Sequence, residues 1–397
     1  MSIGPAQARA GHGMGNGPRE DAGRLARGIR IFTIRAKMLR YLALIPEKSM
    51  DQHDSLRQRP RRVTLKAVAE AAKVSPITVS NVVNGRFHSM SAETRMRVEA
   101  AIAQLNYRVN LAARGLKHSQ HYCVALVVLD HRPAFLSHPA HHQVAAGLSN
   151  FLSANGYTVA IEGVSPERIE NLSYLDRFST DALCLIASGP LPGRFQVLEK
   201  LQAARQPLVV FHESPRNPDA RTCYVRSDDR TGGELLARHM LEQGARRFVM
   251  LLPRREWAPM TERENGVKAA LERLDGTSLH TLRVDGLSVQ EIGATLEEYL
   301  KQNDLPEAVL GGNDLLAAAA LKHLRRKGCR IPDQVRIGGF GCYDLIQYLD
   351  PTLTSIRIPT YTMGQTAGKE ILHALSEGQF SRNDILLPVE LVRGESS

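Results

Sequence analysis

The sequence predicts an α/β protein in which a small all-α helix-turn-helix head precedes two doubly wound subdomains, each built on a parallel sheet. Three observations predict this architecture. Three short helix patterns lie between residues 63 and 105, and about eight apolar strand patterns alternate with helix patterns after residue 120. A break near residue 220 divides the strands into two groups. Continuous apolar strands are typical of parallel sheets that helices cover on both faces.

The charge distribution and the cysteines narrow the functional class. The 397-residue chain has a net charge of +10, of which residues 1–62 carry +8, residues 63–117 carry +5 and the remainder carries −3. A basic front on a mildly acidic body favours a polyanionic partner, although solvated surface charge is the alternative. No apolar run approaches the ~18–20 residues of a membrane span, so no membrane partner is expected. Five scattered cysteines without a CxxC spacing favour the reducing cytoplasm.

Residues 1–60 are predicted to form a disordered basic extension, because they are rich in Gly, Ala and Arg and lack hydrophobic periodicity. The alternative is that this segment is not functional. Met50 lies shortly before the first clearly structured residue, so translation starting there would leave most of the segment outside the protein.

The head carries the strongest functional signal. Thr64 is a suitable N-cap for a first helix, and Ser75 followed by Pro76 is a strong start signal for a second. The second helix directs one apolar side toward a core: Val79, Val82 and Val83. Its opposite side presents Ile77, Asn81 and Asn84, flanked by Thr78 and Ser80. A major groove admits such a helix, whereas the alternative is a three-helix bundle with a solvated face.

The body after residue 120 alternates apolar strands with amphipathic helices. The predicted strands are 123–129, 158–161, 182–187, 207–211, 247–252, 279–284, 308–312 and 335–340. Helices predicted between them include 142–155, 230–243, 263–274 and 314–328. These strand-helix units predict two open sheets, whose ligands bind at the carboxyl ends of the strands.

Together these stretches resemble the LacI/GalR family of bacterial transcription repressors. The resemblance covers residues 63–397 and is most specific in "VTLKAVAEAAKVSPITVSNVVNG", "SAETRMRVEAAIAQLNY" and "NLAARGL". In the body it rests on "SDDRTGGELLARHMLEQGARRFVMLL", "RENGVKAAL" and "GGNDLLAAAALKHLRRKGCRIPDQVRIGGFG". It implies a DNA-binding domain at 61–108, a hinge helix at 109–118 and a core of periplasmic-binding-protein-like type at 119–397. Within that core a late crossover is expected near residue 350.

The resemblance implies which head residues contact operator DNA. Base-reading positions match Pro76, Ile77 and Asn81, and backbone-anchoring positions match Thr64, Ser75, Thr78, Ser80 and Asn84. Further contacts are expected at Tyr107, Asn110 and Arg114, and Leu116 matches a leucine wedged into the minor groove. Val109 replaces a frequent proline, and asparagine replaces a frequent arginine at residue 81. Asparagine favours adenine, so this change shifts the preferred operator sequence and not the mode of binding.

For the core, the resemblance implies an effector site at Arg263, Asn313, Asp314 and Gly341. Arg263 matches a ligand-gripping arginine; the alternative is a surface arginine at a helix start. Of Asn313 and Asp314, one is expected to line the pocket and the other to cap the following helix. Gly341 replaces an aspartate of sugar-binding members, which favours an anionic ligand such as a sugar acid and places the chain nearer the gluconate-responsive members. Asp344 is a possible substitute for that aspartate.

An aromatic pair that many members carry after the first strand is absent, because the corresponding segment reads "SHPAHHQ". Phe135, His141 and His142 are possible substitutes, but the segment is interpreted as a solvated histidine cluster. No metal or cofactor is expected, since metal-ligand spacing is lacking.

Two other functional classes, an α/β enzyme and a solute-binding protein, share part of this pattern. An α/β enzyme is disfavoured because G-x-G-x-x-G, G-x-S-x-G, P-loop and H-E-x-x-H motifs are lacking. A solute-binding protein would share the core, but it would need an export signal in place of the helix-turn-helix. The sequence therefore predicts a cytoplasmic, non-enzymatic repressor. It is expected to bind double-stranded operator DNA as a homodimer and to respond to a sugar or sugar acid.

Overall fold

The computed structural model describes residues 63–83, 85–88, 90–107, 120–165, 180–189, 191–215, 219–286 and 288–397. The chain divides into two compact units, residues 1–109 and 110–397, and each is considered by itself. The predicted extension over 1–60 and the whole predicted hinge helix over 109–118 lie outside the described residues. The same holds for four predicted DNA contacts: Asn84, Asn110, Arg114 and Leu116.

The described residues of the first unit form three helices, as the sequence predicts. They are α1 (Leu65–Ala72), α2 (Pro76–Val83) and α3 (Ala92–Gln104). Each begins at a hydroxyl N-cap that accepts a backbone N–H three residues on: Thr64 at 3.2 Å, Ser75 at 3.1 Å and Ser91 at 3.2 Å. The helices meet in a small core around Val68, Val79 and Val98, each fully buried. These caps and apolar positions explain why the short segment folds into three helices and not one.

The second unit contains two six-stranded sheets. The first is built from β1 (Cys123–Leu129), β2 (Thr158–Val164), β3 (Ala182–Ala187), β4 (Leu208–Phe211), β5 (Thr222–Ser227) and β11 (Asp384–Leu387). The second is built from β6 (Arg247–Pro253), β7 (Ser278–Val284), β8 (Ala308–Gly311), β9 (Arg336–Gly341), β10 (Thr354–Arg357) and β12 (Glu390–Val392). Their strand orders are 11-5-4-3-1-2 and 12-10-9-8-6-7. All pairings are parallel except that of β12 with β10.

Among the described residues, seven helices accompany these sheets. They are α4 (Pro139–Ala154), α5 (Leu191–Ala203), α6 (Asp229–Glu242), α7 (Ala258–Leu271), α8 (Val289–Leu300), α9 (Asp314–Arg326) and α10 (Thr360–Glu377). The helix predicted over 263–274 is α7, which begins earlier because Pro259 lies in its first turn, where proline is tolerated. Among the described residues, none of the helices combines the length and apolar character that crossing a membrane requires.

The chain changes sheet three times. After β5 it enters the second sheet through α6, after β10 it returns to the first sheet, and β11 and β12 then add one edge strand to each. The central strands β1, β3 and β4 are almost wholly buried, as parallel strands covered on both faces should be. This connectivity brings the carboxyl ends of both sets of strands together. Open α/β sheets bind ligands at these strand ends.

Candidate functional site

The first candidate site is the outward face of α2. Val79 and Val82 bury the opposite face, which leaves Ile77 with 72% of its surface exposed. Asn81 is half-buried, and its side chain makes no hydrogen bond to the described residues. Pro76 is exposed beside Ile77. A helix that presents an isoleucine and a free amide at the surface has the side chains that read base edges.

Hydroxyl groups surround the start of α2. The Oγ of Ser75 and the Oγ1 of Thr78 lie 2.9 Å apart, while the Ser75 oxygen also caps the helix. Thr64 holds the corresponding place at α1. Hydroxyls and helix N-termini are common phosphate contacts. Tyr107, by contrast, packs partly buried against the apolar cluster of the head, so its ring also contributes to folding.

The second candidate site surrounds Arg263 in α7. The side chain is buried, with only 4% of its surface exposed. Its Nε donates to Oδ1 of Asp229 at 2.7 Å, its Nη1 donates to the Gly312 carbonyl at 2.7 Å, and its Cζ lies 4.9 Å from the Phe340 ring centroid. The alternative of a surface arginine is therefore wrong. Its Nη2 has no partner among the described residues and is available to a ligand.

The structure distinguishes the two residues that follow β8. Asn313 is the N-cap of α9, because its Oδ1 accepts the backbone N–H of Leu316 at 2.9 Å. Its Nδ2 donates to none of the described residues. Asp314 is fully buried and accepts from the Tyr343 backbone N–H at 3.0 Å and from Ser355 Oγ at 2.6 Å. Burial raises the pKa of Asp314 to about 6, against these hydrogen bonds. The geometry therefore favours Asn313 as the pocket residue and Asp314 as a brace between α9, β9 and β10.

The structure shows what occupies the end of β9, where Gly341 stands in place of the aspartate of sugar-binding members. Gly341 has a φ of 128°, which disfavours any side chain. A Cβ placed there would collide with the ring of Tyr343, which is buried. An aromatic ring therefore occupies the space of the missing carboxylate. Asp344 is exposed at the start of a 3₁₀ turn and does not replace it.

The histidines after β1 are not a solvated cluster. His138 and His141 are buried, with 7% and 2% exposed, and of the three histidines in the segment only His142 faces outward. The first two pack against the edge of Trp257, at centroid distances of 5.7 and 6.3 Å, and His212 packs against the same ring at 5.2 Å. The solvated interpretation is therefore wrong for His138 and His141, because α4 turns its first residues toward the second sheet.

Sequence reasoning missed the partners that complete this site: Asp229, His138, His212, Trp257 and Tyr343. One available signal could have found them. Each follows the carboxyl end of a different strand, which is where a doubly wound sheet gathers its ligand contacts.

Two glycines hold the helix pair that places Arg263 against Asp229. Gly233 in α6 and Gly266 in α7 face each other's helix, and a Cβ on Gly266 would overlap the Arg230 carbonyl oxygen. The helices approach so closely only because both positions lack a side chain. Gly266, three residues after Arg263, therefore sets the distance between α6 and α7.

Gly266→Ala is expected to lower the free energy of unfolding by about 1–3 kcal/mol, because the added methyl group forces the helices apart. Alanine is the better helix former, so a loss cannot come from helix propensity. Urea unfolding followed by the fluorescence of the single tryptophan measures the effect. Thr261→Ala, at an exposed position of the same helix, is the control and should stay within about 0.5 kcal/mol. Equal stability of both variants would show that the glycine contact is not required.

Two family models match the chain. Residues 64–110 match the bacterial regulatory proteins of the lacI family, and residues 237–397 match the periplasmic binding protein-like domain. The HTH-type transcriptional regulator CelR of Thermobifida fusca is 28% identical over 347 residues, 85% of this chain and 99% of CelR. The HTH-type transcriptional repressor PurR of Aliivibrio salmonicida is 27% identical, over 84% of this chain and 98% of PurR.

Solved structures agree in fold and extent. The Lac repressor bound to ONPG in its repressed state superposes with a TM-score of 0.71 at 26% identity, covering 85% of this chain and all of that chain. The Lac repressor dimer bound to operator and an anti-inducer gives a TM-score of 0.68 at 25% identity. The match covers 85% of this chain and 99% of that chain. The head, the two-sheet core and their order along the chain are therefore shared. The chain therefore carries a helix-turn-helix domain of the lacI family of bacterial regulatory proteins at residues 64–110 and a periplasmic binding protein-like domain at residues 237–397, as its helix-turn-helix and core motifs predict.

Proposed function

We propose that this chain is a repressor that reads operator DNA through the outward face of α2 and releases or tightens that contact when a small effector binds near Arg263. The exposed side chain of Ile77 and the half-buried amide of Asn81, on a helix whose other face is a valine core, carry the DNA-binding part. The cytoplasm is its proposed place of action, since that is where bacterial operators lie.

The free N–H groups around Arg263 support the effector part. Arg263 Nη2 and Asn313 Nδ2 have no partner among the described residues, and both lie at the carboxyl ends of the second sheet. Solved relatives named for complexes with cellobiose and with ONPG show that sugars and their derivatives bind proteins of this fold. We propose a sugar or sugar acid as the effector class here.

A homodimer is the proposed DNA-binding form. The solved Lac repressor dimer on its operator has the same head-and-core organisation. Two heads related by a twofold axis read two half-sites of a pseudo-palindromic operator. Because binding of effector and operator are linked, each changes the affinity of the protein for the other by the same factor.

Asn81→Ala is expected to weaken binding to the cognate operator by about 1–3 kcal/mol, while binding to scrambled DNA stays nearly unchanged. The reason is that the free amide has the donor-acceptor pair that recognises one base edge. Fluorescence anisotropy with both duplexes at the same salt concentration measures the two affinities.

Lys66→Ala is the matched control, because this exposed lysine lies on α1, outside the base-reading helix α2, and is expected to contact phosphates. It should weaken binding to both duplexes by the same factor. An equal loss on both sequences for Asn81→Ala would show that this residue positions the helix and does not read a base.

A solute-binding protein remains the second candidate, favoured only by the shared core. It predicts ligand binding without any operator affinity in the same anisotropy measurement.

A further inference from the structure

Four rings gather between the two sheets on the side of Arg263. His138 begins α4 and His212 directly follows β4, so both belong to the first sheet, while Trp257 precedes α7 in the second. The ring centroids of His212 and Trp257 lie 5.2 Å apart, and those of His138 and His141 lie 5.1 Å apart. We call His138, His141, His212 and Trp257 the ring cluster.

The ring cluster contains buried polar atoms without partners. Both ring nitrogens of His212 and the Nε1 of Trp257 are buried and have no hydrogen-bond partner among the described residues. His138 Nδ1 accepts the backbone N–H of Ala140 at 3.3 Å, so the neutral ring carries its proton on Nε2. Buried polar groups are almost always paired, and an unpaired set beside a ligand site indicates that a ligand pairs them.

The free groups are mainly donors, whereas the carboxylates are already engaged. Trp257 Nε1, Arg263 Nη2 and Asn313 Nδ2 can only donate. The described carboxylates around them are held by the protein: Asp130 by Arg132, Asp229 by Arg263 and Ser227, and Asp314 by Ser355 and the Tyr343 backbone. The ring of Tyr343 closes the position at Gly341 to any further carboxylate.

This excess of free hydrogen-bond donors over free acceptors favours one class of ligand over another. Each buried hydroxyl of a neutral sugar needs an acceptor for its proton, and a donor-rich wall leaves those protons unpaired. A carboxylate only accepts, through two oxygens, and is matched by indole, imidazole and guanidinium N–H groups.

We propose that the effector is an acidic sugar, an aldonate or a uronate, whose carboxylate binds between the ring cluster and Arg263. The inference rests on the proposed function in one respect, that the effector site is the one around Arg263. The electrostatic potential at the ring cluster is positive, which matches the negative charge of a carboxylate. Burial is the main reason that the pKa values of His138 and His212 are low, about 3 in each case, and the positive charge of Arg263 lowers both further.

The test titrates the full-length protein by calorimetry with acid and neutral partners of equal size. The pairs are D-gluconate with D-sorbitol, D-glucuronate with D-glucose, D-galactonate with galactitol, and D-galacturonate with D-galactose. We expect at least one acid to bind at least about tenfold more tightly than its neutral partner. Failure of all four acids to bind, or tighter binding of a neutral partner, would overturn the proposal.

Variants then locate the carboxylate. Trp257→Phe keeps a ring but removes the indole N–H, and is expected to weaken binding of the acid about tenfold. His142→Asn, at the exposed histidine of the same segment, is the control and should bind as wild type does. Unchanged affinity in Trp257→Phe would remove the ring cluster from the site.

The outcomes separate this inference from the proposed function. If a neutral sugar alone alters operator affinity, the protein is still an effector-controlled regulator but its ligand is not an acid. If an acid binds as expected without altering operator affinity, the ligand class holds and regulation by this site fails.

Discussion

Arg263→Ala is expected to lower the free energy of unfolding of the core by about 3–5 kcal/mol, beyond any effect on ligand affinity. Removal of the guanidinium leaves the buried carboxylate of Asp229 without its cation, and breaking a buried pair by removing one partner has a cost of this size. The Gly312 carbonyl loses its donor at the same time. Chemical denaturation followed by Trp257 emission measures the loss.

A double variant tests whether the unpaired charge is the cause. Arg263→Met with Asp229→Asn removes both charges and fills most of the volume, so it should recover at least half of the stability that Arg263→Ala loses. If the double variant is no more stable than the single one, packing against Phe340 and not the charge accounts for the effect.

Effector measurements need a variant that keeps the ion pair. Arg263→Lys retains the charge but not the planar fork, so it cannot satisfy Asp229, Gly312 and a ligand together. We expect it to fold and to require roughly ten- to hundredfold more effector for the same change in operator affinity. Operator binding without effector should match wild type.

The head was predictable because its signals are local. Ser75 and Pro76 start a helix by their own chemistry, and Val79 is buried because its spacing matches one helical face. The central strands were predictable for the same reason, since an apolar run such as Val124–Leu129 is buried on both faces.

The missed strands lack such a signal. β5 contains buried Thr222 and Ser227, whose hydroxyls find partners only in the folded core. β11 and β12 are edge strands with alternating or partial burial. β11 pairs with β5, 160 positions earlier in the chain, and β12 pairs with β10, more than 30 positions earlier. Local pattern cannot supply that information.

The candidate site divides in the same way. Arg263 and Asn313 stand out through the resemblance to a family, but the ring cluster does not. A histidine after β1, another after β4 and a tryptophan after β6 become neighbours only when two sheets face each other. In the sequence the first looks like part of a solvated run.

The ring cluster should also make the core unusually sensitive to acid. Burial holds the pKa values of His138 and His212 at about 3, whereas in the unfolded chain each is about 6.5. Between these values the unfolded chain binds more protons, so stability rises with pH and is lost as pH falls below about 6.5. Other charged groups lie near the two rings and either keep their charge over this pH range or change stability in the opposite direction. They are Asp130, Arg132, Asp229, Arg263 and Asp314.

The variant His138→Asn/His212→Asn removes the two rings whose pKa values are about 3 and keeps His141, whose pKa burial also lowers. Both substitutions respect the local structure. Asparagine is a good N-cap for α4 at residue 138, and it tolerates the positive φ of 66° at residue 212. Between pH 7 and pH 5, wild type should lose about 3–4 kcal/mol more stability than this variant. The other groups titrate in both proteins and cancel in the difference. Urea midpoints across that pH range, with His142→Asn as the exposed control, decide the matter. Parallel curves for wild type and the double variant would mean that the two rings are charged in the folded core, and that the cluster is open to water.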